Sequence, residues 1–292
     1  MTPDRAAAER TSTAFSPTLQ VLTAEPPAPR PPELSFAAVI DRFPGVAEAE
    51  AVGWSGSTAA GWGNALSDVD LYVFSDREIE MPVDETMETW PSTDKGGVGW
   101  LNWMGRYGDV CADVQVWRTD ALATVLAPYL AAAEPEFCGM SDALRDFVYR
   151  LSIAVPLKNE EYFREMRDLI ERSSYRRSLA RSLKSIAENR LIDVVGQLAV
   201  GDDVTARLTA GIAATLTVDH CLVLAGNLCR GDKWLVRRLE STPHCGVTVD
   251  DYRSTVLGGA RQGESDRECA LRIARWAQAH LIRVEEIVLT SQ

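Results

Sequence analysis

Ser55-Gly56-Ser57-Thr58-Ala59-Ala60-Gly61-Trp62-Gly63-Asn64-Ala65-Leu66-Ser67-Asp68-Val69-Asp70-Leu71-Tyr72-Val73-Phe74 runs from a Gly-Ser turn into two alternating aspartates at the head of an apolar strand. Successive side chains of an extended chain point to opposite faces, so Asp68 and Asp70 share one, roughly 6.5–7 Å apart. Two divalent cations can share carboxylates so spaced. Gly56 supplies a residue that lets backbone approach a ligand, and Ser57 a hydroxyl at a helix start. Amide groups exposed there suit a polyphosphate.

On the N-terminal side, Leu34, Phe36, Ala37, Val39, Ile40 and Phe43 lie at helical spacing before the breaker Pro44-Gly45, and a strand follows from about Ala49 to Ser55. Residues 1–32 end in Pro26-Pro27-Ala28-Pro29-Arg30-Pro31-Pro32 and read as a flexible leader. On the C-terminal side, residues 78–108 are irregular and long for a structureless connection, which predicts a functional loop holding a short strand or hairpin. Val110 to Trp117 alternates again as a third β-element with the acid Asp113 inside it. Beyond Thr119, three- and four-residue apolar spacing predicts helices over 120–133, 141–152, 160–173, 175–200, 203–229 and 266–289. Ile153 to Leu157 is either a short edge strand or a helix end, because Pro156 stops both. The expected class is α+β, with a sheet domain over 33–119 and a helical domain over 120–292.

The 292 residues are 46% hydrophobic, enough for a proper core. Acids outnumber bases by 42 to 30, a formal charge of −12 that repels a nucleic-acid backbone and favours a small or cationic substrate. Six cysteines without a Cys-x-x-Cys pair read as reduced thiols of a cytoplasmic protein, and three histidines give no zinc spacing. The N-terminus lacks a secretory core, and no uncharged apolar run of about 18 residues predicts a membrane span.

The Gly56-Ser57 turn, followed at this spacing by Ser67-Asp68-Val69-Asp70-Leu71 and an apolar strand, resembles the nucleotidyltransferase superfamily of the DNA polymerase β type, in particular its small-molecule and aminoglycoside-modifying members. The motif-bearing likeness covers about residues 35–118. It implies a small mixed-sheet catalytic domain followed by a helical bundle that supplies the acceptor pocket. It implies that Asp68, Asp70 and Asp113 ligate two magnesium ions and act in catalysis, with Asp113 assisting removal of the acceptor proton. Gly56, Ser57, Ser67 and Lys233 would bind the nucleoside triphosphate, ATP first among the candidates. Lys233 comes from Gly231-Asp232-Lys233-Trp234-Leu235, similar to a family Lys-Trp-Leu segment at a late helix, where a solvated cation is the equal alternative.

Asp109, four residues before Asp113, competes for the third place. The implied activity is transfer of a nucleoside monophosphate to a hydroxyl of a small molecule, as in antibiotic modification, by a monomer or homodimer. The alternative is a protein that keeps the fold for binding or regulation, such as a toxin–antitoxin component. Arg172, Arg176, Arg177, Arg181, Lys184 and Arg190 form a basic stripe assigned to one long helix, read first as solvated. Trp54 and Trp117 read as core, and Trp62, in the glycine-rich loop, as a stacking group. Neither a P-loop nor a Gly-x-Ser-x-Gly elbow occurs.

Overall fold

In the computed structural model, residues 34–64, 67–82, 88–93, 97–107, 110–131, 140–229 and 231–290 are described. The leader 1–32 and Asp109 lie outside them. Ser35 opens α1 (Phe36–Arg42) by accepting a hydrogen bond from the Ala38 amide at 3.2 Å, and a 3-10 turn over Pro44–Glu48 leads into β1 (Ala51–Ser55). A single helical turn, α2 (Gly56–Ala59), separates β1 from β2 (Val69–Phe74). The irregular stretch after β2 contains the expected hairpin, β3 (Glu88–Thr93) and β4 (Gly99–Tyr107), which delivers the chain to β5 (Val110–Trp117).

The helical half comprises α3 (Ala121–Ala131), α4 (Asp142–Ile153), α5 (Glu160–Arg172), α6 (Tyr175–Ala199), α7 (Asp203–Leu224), α8 (Leu235–Ser241), α9 (Val249–Tyr252) and α10 (Asp266–Thr290). A π-helical segment, Arg253–Leu257, continues from α9. Between α4 and α5 the Pro156 segment forms β6 (Val155–Lys158), an edge strand, where proline is tolerated.

Six strands form one mixed sheet in the order β3-β4-β5-β2-β1-β6, with β2 and β5 parallel and every other neighbouring pair antiparallel. The protein is therefore α+β, a mixed sheet followed by a helical region. Because β6 follows α4 in the chain, the sheet is not completed before residue 120: its last strand comes from the helical half.

Strand alternation divides the core in two. Leu71, Val73 and Val114 face α1, packing with Val39, Phe43 and Trp103. Tyr72, Phe74 and Trp117 face the helices, packing with Phe147, Leu151 and Phe163. There Trp117 stacks on Trp100 and Phe147 with centroid separations of 4.6 and 3.9 Å, which locks α4 to the sheet. Phe147 is fully buried, and truncating such a side chain costs about 3–5 kcal/mol.

Helices α6, α7 and α10 pack through small residues, among them Ala206, Ala210, Ala214, Ala270 and Ala277. By length and composition alone α7 could cross a bilayer, yet much of it is buried inside this bundle. The basic series does not lie on one helix, contrary to expectation. Arg172 ends α5 and the others lie on α6, because the Ser174 amide bonds the Tyr129 carbonyl at 2.9 Å and breaks the helix there. Arg176, Lys184 and Arg190 form surface ion pairs with Glu171, Glu188 and Asp193, at 3.6, 3.4 and 3.1 Å.

Candidate active site

Register decides which acids meet. Parallel pairing sets Asp70 of β2 directly opposite Asp113 of β5, and antiparallel pairing sets Ser55 of β1 opposite Asp70. Both carboxylates share the sheet face of Tyr72 and Trp117, toward α4. Asp68 sits exposed just before β2 begins.

Helix α4 contributes a residue with no motif to announce it. Arg150 places Nη1 2.7 Å from Asp70 Oδ1 and donates from Nε to Asp146 Oδ2 at 3.1 Å. Its backbone is held as well, since Ser55 Oγ donates to the Arg150 carbonyl at 2.7 Å. Asp146 and Arg150 are an ordinary i,i+4 pair in the sequence. Nothing local shows that the arginine reaches across to β2.

Gly56 closes the site from the other side. Its φ is +78°, and a Cβ there would lie 1.8 Å from Asp70 Oδ2 and 2.5 Å from Arg150 Nη1. Only glycine lets this backbone pass against the carboxylate. Thr58, two residues on, accepts from Trp54 Nε1 at 3.0 Å and donates to the Asp68 carbonyl at 3.4 Å, tying the turn to the entry of β2.

The electrostatics follow from burial. Burial pushes the Asp70 carboxyl up, against the Arg150 charge that lowers it. Asp113 is raised to about 6, first by burial and then by the charge of Asp70. Burial opposes the charge on Arg150, but Tyr72, Asp70 and Asp146 outweigh it and hold the guanidinium above its ordinary pKa. One arginine thus faces two sheet carboxylates and Asp146. Hard carboxylate oxygens are the donors magnesium prefers, and Asp70 and Asp113 set two such groups side by side. Among the described residues no group of three or more acids, histidines or cysteines is placed to hold a metal ion.

The remaining expected residues are placed as follows. The Ser57 carbonyl accepts from the Trp62 and Gly63 amides, both at 2.8 Å, which folds the glycine-rich loop back on α2. Ser67 Oγ accepts from the Asn64 amide at 2.8 Å and so closes that loop. Trp62 packs against the aromatic cluster. Lys233 lies exposed in the turn before α8, its Nζ 5.6 Å from the Trp234 ring centroid. The described cysteines are free thiols, and His220 is a buried core histidine whose Nδ1 lies 2.8 Å from the Ala180 carbonyl.

No family model matches the chain, and no curated protein matches it. Among solved structures it is similar to a nucleotidyltransferase-like protein from Exiguobacterium sibiricum 255-15, at 11% identity over 82% of this chain and 71% of that one, with a TM-score of 0.44. A likeness at this distance says nothing of chemistry, which rests on the residues of the site.

Proposed function

We propose that the chain is a nucleotidyltransferase that moves a nucleoside monophosphate, AMP from ATP, to a hydroxyl of a small molecule. The observation that carries this reading is the Asp70–Asp113 register with Gly56 backbone laid against the Asp70 carboxylate. Two acids set side by side under partial burial, with one arginine between three carboxylates, favour a cation at the site.

Asp68, Asp70 and Asp113 would hold magnesium. When bound, the metal supplies charge for the triphosphate and leaving pyrophosphate and acidifies the acceptor hydroxyl. Asp113, at the β5 end of the pair, accepts the proton from that hydroxyl as its oxygen attacks the α-phosphorus and the bond to pyrophosphate breaks. Arg150 orients Asp70 by its ion pair and is itself anchored by Asp146 and by Ser55 through its carbonyl. The Gly56 turn admits the donor close to the acids.

The test is titration of the full chain with each NTP, with and without magnesium, followed by transfer of an α-phosphate label to a panel of hydroxylated acceptors. Magnesium-dependent binding of one NTP with pyrophosphate release is expected. Absence of any metal-dependent NTP binding would overturn the reading.

A further inference from the structure

The row of the sheet that holds the acid pair continues past it. Direct cross-strand pairing sets Met104 of β4 opposite Asp113 and Glu88 of β3 opposite Met104. Ser55, Asp70, Asp113, Met104 and Glu88 thus form one line across five strands, on one face. One row on, the same face carries Tyr72, Gln115, Asn102 and Trp90 in register. Neighbouring strands lie about 4.8 Å apart, so Glu88 stands roughly 10 Å from Asp113.

The two halves of this face differ in what covers them. Over β2 and β5, Phe147 of α4 packs on Tyr72 and Trp117. Over the hairpin, Met104 is 46% and Trp90 38% exposed, and Glu88 is exposed as well. The amide side chains between them are engaged within the sheet. Asn102 donates to Ser92 Oγ at 2.7 Å and accepts from Trp100 Nε1 at 3.0 Å, while Gln115 accepts from Trp117 Nε1 at 3.2 Å. What the hairpin turns outward in line with the acids is a thioether, an indole ring and a carboxylate.

The reaction gives this line a direction. In an in-line displacement the attacking oxygen and the leaving pyrophosphate lie on opposite sides of the α-phosphorus. With the triphosphate admitted at the Gly56 turn, on the β1 side of Asp70, the attacking oxygen comes from the Asp113 side, over β4 and β3. We propose that the β3–β4 hairpin is the acceptor subsite and takes a planar ring whose amine lies about 10 Å from the reacting hydroxyl, with Met104 and Trp90 against the ring and Glu88 facing the ammonium. The proposal deepens the nucleotidyl-transfer reading and rests on it. Indole and thioether favour a flat, polarisable ring, and an indole beside a carboxylate favours a cation. An anionic ring would meet Glu88 and the acid pair with like charge.

The test uses the full chain and proflavine, a planar fluorescent cation followed by polarisation, with tyramine and phloretate as competitors that share a hydroxylated ring and differ in charge. Saturable binding of one probe per chain is expected, with tyramine the better competitor. Trp90→Ala should weaken probe binding by about tenfold. Glu88→Gln, which keeps the size of the side chain, should weaken it by about threefold. Thr89→Ala, on the opposite face of β3, should leave it unchanged. Magnesium-dependent NTP binding should be the same in all three variants. Metal-dependent NTP binding without saturable probe binding, or with probe binding that ignores both Trp90→Ala and Glu88→Gln, overturns the subsite. A loss of NTP affinity in Trp90→Ala overturns it too, since the hairpin would then hold the donor's base. So does a wild-type dimer that Trp90→Ala splits, since the edge hairpin would then be an interface between copies. Probe binding as expected, with no metal-dependent NTP binding, overturns the nucleotidyl-transfer reading and leaves the hairpin standing as a ring-binding site.

Discussion

Among the described residues an aspartate meets an arginine on the sheet, at Asp70, and in the helical half, at Asp219. Arg238 is fully buried, and its donors are matched: Nε to Asn227, Nη1 to Asp219 and the Gly231 carbonyl, Nη2 to the Cys229 carbonyl. That arrangement balances one charge against one and pins the turn between α7 and α8. Arg150 instead faces Asp70 and Asp146, with Asp113 pressed against the same face and its carboxyl raised to about 6. A balanced buried pair holds structure together. An unbalanced one keeps a surplus of negative charge where a cationic species can use it.

The widest separation between the two sites is expected from removing each acid. Asp70→Asn should slow nucleotidyl transfer by about a thousandfold or more while shifting the unfolding midpoint little, because burial already works against that charge. Asp219→Asn strips the partner from a fully buried guanidinium and should destabilise the fold by roughly 3–5 kcal/mol in denaturant titration. If both variants lost stability alike and Asp70→Asn kept its turnover, the two pairs would be equivalent and the comparison broken.

Gly56→Ala sharpens it on the sheet side. A methyl group would lie 1.8 Å from Asp70 Oδ2 on a backbone at φ +78°, so the carboxylate or the turn must move. Single-turnover kinetics should show a loss of about a hundredfold. The accompanying stability change should be about 1–3 kcal/mol. Turnover at the wild-type rate would mean that the close approach of Gly56 has no catalytic consequence.

A pH titration of metal-free stability tests the charge surplus itself. The Asp113 carboxyl ionises near 3.8 when unfolded and near 6 when folded, so the folded state holds its proton more tightly. Its stabilising contribution is complete below pH 4 and disappears as the pH rises through 6, a change of about 3 kcal/mol for a shift of roughly two units. Asp113→Asn should flatten the curve in that window. An Asp113→Asn curve with the wild-type slope would place the proton uptake elsewhere.

The smallest effect is expected at Lys233, in the turn that Arg238 helps to hold. If its ammonium leaves the Trp234 ring for the donor phosphates, Lys233→Met should weaken NTP binding by about tenfold for every acceptor alike. Unchanged affinity in calorimetry would make it a surface cation.

Local periodicity made much of this legible. The six long helices of the second half, the hairpin inside 78–108 and the alternation around Asp70 and Asp113 each depend on spacing within a few residues, whereas the short α8 and α9 carry too few turns to show a period. What periodicity does not encode is which strand lies beside which. The Asp70–Asp113 register joins positions 43 residues apart, and Arg150 reaches Asp70 across 80. The Asp146–Arg150 spacing could be read only as a surface helix pair. The break at Ser174 is legible where the periodic segments 160–173 and 175–200 meet, but the hydrogen bond to distant Tyr129 that holds it, and separates Arg172 from the rest of the basic series, is not. The exposure of Val204, Leu208 and Ile212 on α7 was hidden because an exposed aliphatic stripe has the same sequence signature as a buried one.

The edge strand β6 bears on how such a chain could have been assembled. A sheet module ending near residue 119 would carry Asp68, Asp70 and Asp113 but would leave β1 with an open edge. It would also lack Arg150, which precedes β6 by five residues. A recombination event exchanging the helical half for another would thus remove the last strand of the sheet and the guanidinium that grips Asp70. The stretch from α4 through β6 is structurally part of the sheet, so a seam at which the helical region could be exchanged without opening the sheet lies beyond Lys158.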